Sequence, residues 1–132
     1  MDIGRKIGRI LVVEDDADTR ELLVKRLLNT TPFEVTTAVS GNEAIRILKN
    51  RQDFCGIISD YNMSDGSGKD VQDFLVVENI RAAFLFYTSE ENPSINLNHK
   101  FYLGKISKPN ITVAVNELVI GLFKKPYNLN LN

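Results

Sequence analysis

The sequence is poor in the residues that carry metal and disulfide chemistry. Its 132 residues include one cysteine, one histidine and no tryptophan. A single cysteine, Cys55, cannot form an internal disulfide, and no Cys/His cluster indicates zinc. We therefore expect Cys55 to be a small buried hydrophobic residue.

Long apolar runs and an excess of charge of one sign are also missing. No stretch approaches the roughly 18 apolar residues of a transmembrane helix, and the N-terminal residues lack the apolar segment of a signal peptide. The 16 basic and 17 acidic residues give a formal net charge of -1. This balance indicates neither a nucleic-acid nor a membrane surface. The expected setting is a cytoplasmic, reducing compartment, with no direct contact to nucleic acid or membrane.

The chain instead carries short apolar runs that alternate with helical patterns. Continuous apolar runs at 9–13, 54–59, 82–87 and 101–106 predict strands of a parallel sheet, and the alternation at 33–39 predicts an edge strand. A helical pattern follows the acidic residues 14–16, with Leu23, Leu27 and Leu28 assigned to one face. A second one begins at Ser40 and Glu43, which form a capping box. Two more helices are predicted at 69–79 and 111–125.

This order of elements predicts an α/β fold. The pattern is β-α-β-α-β-α-β-(α)-β-α, and right-handed crossovers make a doubly wound parallel sheet with helices on both faces the natural solution. The fourth helix is uncertain in this pattern, because Pro93 and several asparagines in 91–100 oppose a regular helix. No repeat or linker argues for a second domain, so residues 1–132 are predicted to form one domain with a core at about 9–125.

Polar side chains end four of the predicted strands: Glu14 and Asp15, Asp60, Thr88, and Lys108. The carboxyl ends of parallel strands share one edge of a sheet, so these groups can converge. Clustered carboxylates require a proton or a cation, and hard oxygen ligands suit Mg²⁺. A lysine and a hydroxyl beside them can hold phosphoryl oxygens. Together these are the parts that phosphoryl transfer needs.

Taken singly, each residue also has an ordinary structural explanation. Asp15 and Asp16 could cap a helix, Thr88 could simply end a strand, and Lys108 could be a solvated lysine. By the same reasoning, His99 is expected to lie on the surface or in a loop, and Tyr61 and Tyr87 are expected to be packing residues. The combination favours a functional site over these separate explanations.

The combination resembles the receiver domain of two-component response regulators over about residues 9–125. The matching segments are Val12-Val13-Glu14-Asp15-Asp16, Ile58-Ser59-Asp60-Tyr61-Asn62-Met63, Tyr87-Thr88-Ser89 and Ser107-Lys108-Pro109. The resemblance implies a flavodoxin-like sheet of order 2-1-3-4-5. It also implies that Asp60 accepts a phosphoryl group from the phosphohistidine of a sensor histidine kinase or phosphotransfer protein. Such a protein is a signalling phosphoacceptor that catalyses only its own phosphorylation and dephosphorylation.

The resemblance also assigns roles to the other site residues. Asp15, Asp60 and the carbonyl of Asn62 would ligate Mg²⁺, for which Mn²⁺ can substitute, and Glu14 would assist partly through water. Thr88 and Lys108 would hold the phosphoryl oxygens. Ser89 and Glu90 would border the path to the phosphate, and Asn62 and Glu90 match chemotaxis-type single-domain regulators, which implies rapid self-dephosphorylation. An unknown output protein would bind the face made by helix 4, strand 5 and helix 5.

Three departures from the family pattern stand out. Ser64 replaces a common proline after Met63, and Lys105 occupies the position of the usual switching aromatic residue. The broken segment 91–100 predicts a fourth helix that is short, irregular or mobile. We therefore expect ordering of this segment, rather than an aromatic rotamer change, to carry the response.

Two other functions remain open from the sequence. A degenerate receiver would keep the fold as a protein-interaction module without phosphorylation. A nucleotide or flavin binder would need a Gly-rich loop after the first strand, where this chain has acidic residues instead. We expect no output domain within the 132 residues after the fifth predicted helix, so the chain is expected to be either a stand-alone regulator or the excised receiver of a longer protein.

Overall fold

The computed structural model describes residues 6–124 and contains a five-stranded parallel sheet covered by helices on both faces. The predicted end of the last helix at residue 125 lies outside this range, as do the first five residues. The elements are β1 (Gly8–Val13), α1 (Ala17–Thr30), β2 (Phe33–Ala38), α2 (Gly41–Asn50), β3 (Phe54–Ser59), α3 (Gly68–Val77), β4 (Ala83–Thr88), β5 (Tyr102–Ser107) and α4 (Ile111–Leu122).

The strands are arranged as β2-β1-β3-β4-β5, and every neighbouring pair is parallel. This confirms the flavodoxin-like order 2-1-3-4-5. It places the carboxyl ends of β1 and β3 side by side at the centre of the sheet, where the strand order reverses. Ligands of open α/β sheets bind at this kind of position.

Alternate residues of the central strands pack into two cores. Ile10 and Val12 face the core that α1 and α4 cover, whereas Leu11 and Val13 face the core that α2 and α3 cover. Burial on both faces explains why these strands are apolar without alternation. Each large side chain that is fully buried contributes about 1.5–3 kcal/mol, so the sheet is a rigid platform for the groups at its edge.

One apolar residue of α1 lies outside these cores, contrary to the sequence prediction. Leu23 and Leu27 of α1 are buried as predicted, but Leu28 is 48% exposed. Each residue turns an α-helix by about 100°, so Leu28 points well away from the stripe that Leu23 and Leu27 form. Val77, at the end of α3, is also turned away from the core and is 77% exposed.

The segment between β4 and β5 differs from the expected pattern. Residues 89–101, the β4–β5 loop, contain no helix. Pro93 has no backbone N–H, and the N–H groups of Ser94 and Asn96 donate to side chains of other elements. The predicted irregularity is confirmed. The helix that was expected between β4 and β5, as part of the output face, is absent. The β4–β5 loop takes its place beside β5.

Two further predictions, on Cys55 and on membrane-spanning helices, can be checked in the part of the chain that the structure describes. Cys55 is fully buried, and burial raises the pKa of its thiol to about 11, as expected for a structural cysteine. Across residues 6–124, none of the helices combines the length and the apolar character required to cross a membrane.

Candidate functional site

The end of β1 supplies two carboxylates with different surroundings. Glu14 is 1% exposed, and its carboxylate accepts a hydrogen bond from the N–H of Asp16 at 3.1 Å. Burial raises the pKa of Glu14, and its contact with Lys108 opposes part of that shift. Asp15 is exposed. Asp16 instead caps α1 by accepting from the N–H of Thr19 at 2.9 Å, so it acts as a structural residue.

Asp60 follows β3 and is the central carboxylate of the site. It is 9% exposed, and its backbone N–H donates to the carbonyl of Val13 at 3.0 Å, which continues the pairing of β3 with β1. Its Oδ1 accepts from the N–H of Tyr61 at 2.6 Å. These bonds fix both the backbone and the orientation of the carboxylate, and Oδ2 faces Lys108.

The loop after Asp60 needs a glycine to reach α3. The N–H of Gly68 donates to the carbonyl of Tyr61 at 2.8 Å. A Cβ atom on Gly68 would lie 2.1 Å from the Asp60 carbonyl oxygen and 2.7 Å from the Phe86 ring. Only glycine allows α3 to begin this close to the end of β3.

Lys108 joins the carboxylates of two strands. Its Nζ lies 2.7 Å from Glu14 Oε1 and 2.8 Å from Asp60 Oδ2. Burial lowers the pKa of Lys108, but the hydrogen bonds to Asp60 and Glu14 outweigh it, so the pKa lies above its ordinary value. The backbone N–H of Lys108 donates to the Thr88 carbonyl at 3.1 Å, which ties β5 to the end of β4.

The remaining predicted residues border an open cavity of about 430 Å³. Its lining contains Asp60, Asn62, Thr88, Ser89, Glu90, Glu91 and Asn92. Thr88 is 1% exposed, and its hydroxyl oxygen accepts from the N–H of Glu90 at 3.1 Å. The Asn62 amide donates to the Glu90 carboxylate at 3.2 Å across the mouth of the cavity. The hydrogen bond from Asn62 lowers the pKa of Glu90, so this carboxylate is ionised at neutral pH.

The carboxylates fit a divalent cation. Glu14, Asp15 and Asp60 each offer an oxygen, and these atoms lie within 4.8 Å of one another. Only Lys108 brings a positive charge into direct contact with Glu14 and Asp60 among the described residues. Oxygen ligands and an excess of negative charge beside solvent suit Mg²⁺ or Mn²⁺ rather than a soft metal. The carbonyl of Asn62 remains a predicted ligand.

The structure adds contacts that the sequence did not indicate. Arg20 donates to the backbone carbonyl of Glu14 at 2.9 Å. Lys105 donates to the carbonyls of Glu90 and Glu91 at 3.1 and 3.3 Å. The spacing of Lys105 from Lys108 marked it as unusual, but no signal in the sequence named its partners.

The tyrosine and histidine expectations have mixed outcomes. Tyr61 and Tyr87 pack in the core clusters as predicted, and the Tyr61 hydroxyl also accepts from the N–H of Ser94 at 3.1 Å. His99 lies in the β4–β5 loop, which confirms one of its two expected settings, but it does not lie on the surface, because it is only 9% exposed and contacts Gln72. Its partner comes from α3, far away in sequence, so no local pattern could reveal it.

Comparison with known proteins identifies the family to which this fold, with its acidic site at the carboxyl ends of the strands, belongs. The sequence profile of the response regulator receiver domain matches residues 10–110. The chain therefore belongs to the response regulator receiver domain family. It is the receiver domain of a two-component system.

The curated relatives match only part of their own length. Over 61 residues the chain is 43% identical to the two-component response regulator ARR11 of Arabidopsis thaliana, covering 46% of this chain and 12% of that protein. Over 64 residues it is 47% identical to the transcriptional regulatory protein PrrA of Mycobacterium tuberculosis, covering 48% of this chain and 26% of that protein. The matched region thus spans about a quarter or less of these relatives.

Solved structures match nearly the whole chain. The receiver domain of a LuxO repressor protein from Vibrio parahaemolyticus has a TM-score of 0.78 at 23% identity, covering 89% of this chain and 92% of that one, which supports the fold alone. The response regulator TrrA from Thermotoga maritima, solved in complex with Mg²⁺–BeF, has a TM-score of 0.75 at 26% identity. That match covers 88% of this chain and 99% of TrrA.

Proposed function

We propose that this receiver domain is a Mg²⁺-dependent phosphoacceptor that takes a phosphoryl group onto Asp60. The donor is the phosphohistidine of a sensor histidine kinase or of a phosphotransfer protein. The phosphorylated form then changes its contacts with an output protein. In this proposal the domain is a signalling protein whose only catalysis is its own phosphorylation and dephosphorylation, and residues 1–132 act as one receiver domain.

The observation that carries the proposal is the position of Asp60. Its carboxylate lies at the switch point of the sheet, lines an open cavity and is contacted by the Lys108 ammonium at 2.8 Å. Carboxylates of Glu14 and Asp15 lie within 4.8 Å of it. A buried acid that served only as a helix cap would need neither the lysine nor the cavity.

The chemistry follows from these groups. An Asp60 carboxylate oxygen attacks the phosphorus of the phosphohistidine, the new O–P bond forms, and the N–P bond breaks. The imidazole leaves with the electron pair and takes a proton. Lys108 offers N–H donors to a phosphoryl oxygen, and the Thr88 hydroxyl can donate its proton to another, because its present bond uses the oxygen as acceptor.

The carboxylates of Glu14, Asp15 and Asp60 would hold the cation, with the carbonyl of Asn62 as a further ligand. When bound, Mg²⁺ offsets negative charge on the carboxylates and on the transferring phosphoryl group. The similarity to TrrA, whose solved complex contains Mg²⁺–BeF, supports this assignment. The dense cluster of carboxylates supports it independently.

Phosphorylation by acetyl phosphate tests the proposal. Wild-type protein with Mg²⁺ should gain the mass of one phosphoryl group, as measured by intact-mass spectrometry, and Asp60→Asn should gain none. Asp18→Asn is the matched control, because Asp18 lies in the first turn of α1 near the site but outside the carboxylate cluster. Equal uptake by wild type and Asp60→Asn would reject Asp60. No uptake by wild type, with no Mg²⁺ binding, would favour the degenerate receiver.

A further inference from the structure

A second cavity lies at the opposite edge of the sheet from Asp60. It has a volume of about 210 Å³ and is formed by the C-terminal end of α3 and the end of the β4–β5 loop. Its lining residues are Leu75, Val76, Asn79, Ile80, Asn98, His99, Lys100 and Phe101. We name it the α3–loop cavity. None of these residues belongs to the proposed phosphorylation site.

The hydrogen bonds of Gln72 fix the proton positions on His99. Gln72 Oε1 accepts from the N–H of Asn96 at 2.9 Å, so the amide nitrogen of Gln72 faces His99. This nitrogen donates to His99 Nδ1 at 3.3 Å. Nδ1 is therefore the acceptor, and the neutral ring carries its proton on Nε2.

That proton lacks a partner within the part of the chain that the structure describes. His99 Nε2 is buried, and no group in residues 6–124 accepts from it. His99 is only 9% exposed. The centroid of its ring lies 5.7 Å from that of Phe84 and 6.4 Å from that of Phe101. Burial lowers the pKa of His99 to about 4, so the ring stays neutral at physiological pH. A buried donor without an acceptor costs about 1–3 kcal/mol, so an acceptor from outside would stabilise this arrangement.

The other lining groups narrow the chemistry of that acceptor. Leu75, Ile80 and Phe101 give the cavity an apolar wall, and Asn79, Asn98 and Lys100 add polar groups to its lining. A dry apolar cavity of about 150 Å³ is large enough for benzene, so this one holds a single ring with a small substituent. The Arg81 guanidinium lies over the Phe101 ring, 5.8 Å from its centroid, and adds positive charge beside the wall.

We propose that the α3–loop cavity binds a small single-ring molecule whose carboxylate or carbonyl oxygen accepts a hydrogen bond from His99 Nε2. A lining that combines apolar side chains with a small number of polar groups is the usual composition of a small-ligand site. The inference is independent of the phosphorylation of Asp60, because it uses neither the carboxylate cluster nor Lys108.

Nitrogen NMR of the ring tests this inference directly. The sequence has a single histidine, so protein labelled with ¹⁵N-histidine reports only His99. Benzoate and benzamide serve as probes that carry an acceptor, and toluene serves as the probe without one. We expect saturable shifts of Nε2 and its proton with benzoate or benzamide, and an affinity at least tenfold tighter than that for toluene.

Two variants and a matched control complete the test, with ligand-observed NMR measuring binding where the histidine is absent. His99→Phe keeps a ring but removes the donor, and it should weaken binding of the acceptor probe by about tenfold or more. Val76→Phe fills the cavity from its rim and should abolish the shift while His99 stays in place. Val77→Phe is the control, because Val77 is 77% exposed and lies outside the lining.

Thermal unfolding of each variant keeps the result interpretable. If His99→Phe fails to fold, the test is the comparison of probe binding between Val76→Phe and its control Val77→Phe. The proposal is overturned if neither acceptor probe gives a saturable shift, if toluene binds as tightly as they do, or if Val76→Phe binds like wild type.

Discussion

Lys105 on β5 donates to the backbone carbonyl of Glu90 at 3.1 Å and to that of Glu91 at 3.3 Å. Its ammonium thus holds the start of the β4–β5 loop, next to the cavity that Asp60 lines. Glu90 also donates its N–H to the Thr88 hydroxyl. A continuous set of hydrogen bonds therefore joins the phosphate-binding candidate Thr88 to β5, without the aromatic residue that the family usually has at this position.

This set of bonds changes what we expect of the loop. Further along, Ser94 is bound to Tyr61, and Asn96 is bound to both Gln72 and Asp73. Such tethers argue against the ordering of a mobile segment that the sequence suggested. We expect the loop to exchange hydrogen-bond partners on activation, starting at Thr88.

Lys105→Met should therefore loosen the loop. Without the ammonium, the carbonyls of Glu90 and Glu91 lose their donor, and hydrogen exchange of residues 91–100 should accelerate several-fold. Exchange measured with and without beryllofluoride should also show a smaller activation difference in the variant. Lys124→Met, at an exposed position, is the control. Identical exchange in wild type and Lys105→Met would contradict the role given to Lys105.

Mg²⁺ should stabilise the folded domain. The cation binds the converged carboxylates only in the native state, and a free concentration of ten times Kd adds about 1.4 kcal/mol to the free energy of unfolding. Asp15→Ala should abolish most of this gain, whereas Asp18→Ala should keep it. Thermal melts of the three proteins with millimolar MgCl₂ and with EDTA measure the effect. If the melting temperature of the wild-type protein is the same with Mg²⁺ and with EDTA, the protein is a degenerate receiver.

The phosphorylated form should be short-lived. Asn62 and Glu90 meet across the mouth of the cavity at 3.2 Å, and the family resemblance implies that these two positions flank the path of the attacking water. We expect decay within minutes rather than hours, and a changed decay rate in Asn62→Ala and Glu90→Ala. Asn92→Ala, at an exposed position in the same cavity lining, serves for comparison. Decay over many hours that neither substitution alters would refute this expectation.

His99 should make the domain less stable in mild acid. Burial lowers the pKa of His99 from 6.5 to about 4 in the folded state, so below about pH 6.5 the unfolded chain binds a proton that the folded chain does not. The stability contributed by the neutral ring is complete above that pH. It is lost progressively as the pH falls from about 6.5 towards about 4. Urea unfolding across this range should show a steeper loss in wild type than in His99→Gln. If the free energy of unfolding changes equally with pH in the two proteins, His99 is solvated and this prediction is wrong.

The sheet and its functional edge were predictable from the sequence because their signals are local. Continuous apolar runs that end on Glu14, Asp60, Thr88 and Lys108 predict both the strands and the convergence of their ends. The topology of a parallel sheet then explains why these residues converge, since it brings distant parts of the chain to one edge of the sheet.

The β4–β5 loop was not predictable in the same way. Its backbone donors bind side chains of Tyr61 and Gln72, and His99 is buried against α3. These pairings depend on tertiary packing between segments that are far apart in sequence. Sequence periodicity could show that a regular helix is disfavoured there, but not what replaces it.

The most direct test of the central claim is to locate the phosphoryl group. After treatment with acetyl phosphate and Mg²⁺, borohydride reduces an aspartyl phosphate to homoserine, and peptide mass spectrometry then identifies the modified position. We predict homoserine at position 60, dependent on Mg²⁺ and absent without acetyl phosphate. Homoserine at another aspartate, or none at all in protein that binds Mg²⁺, would contradict the account.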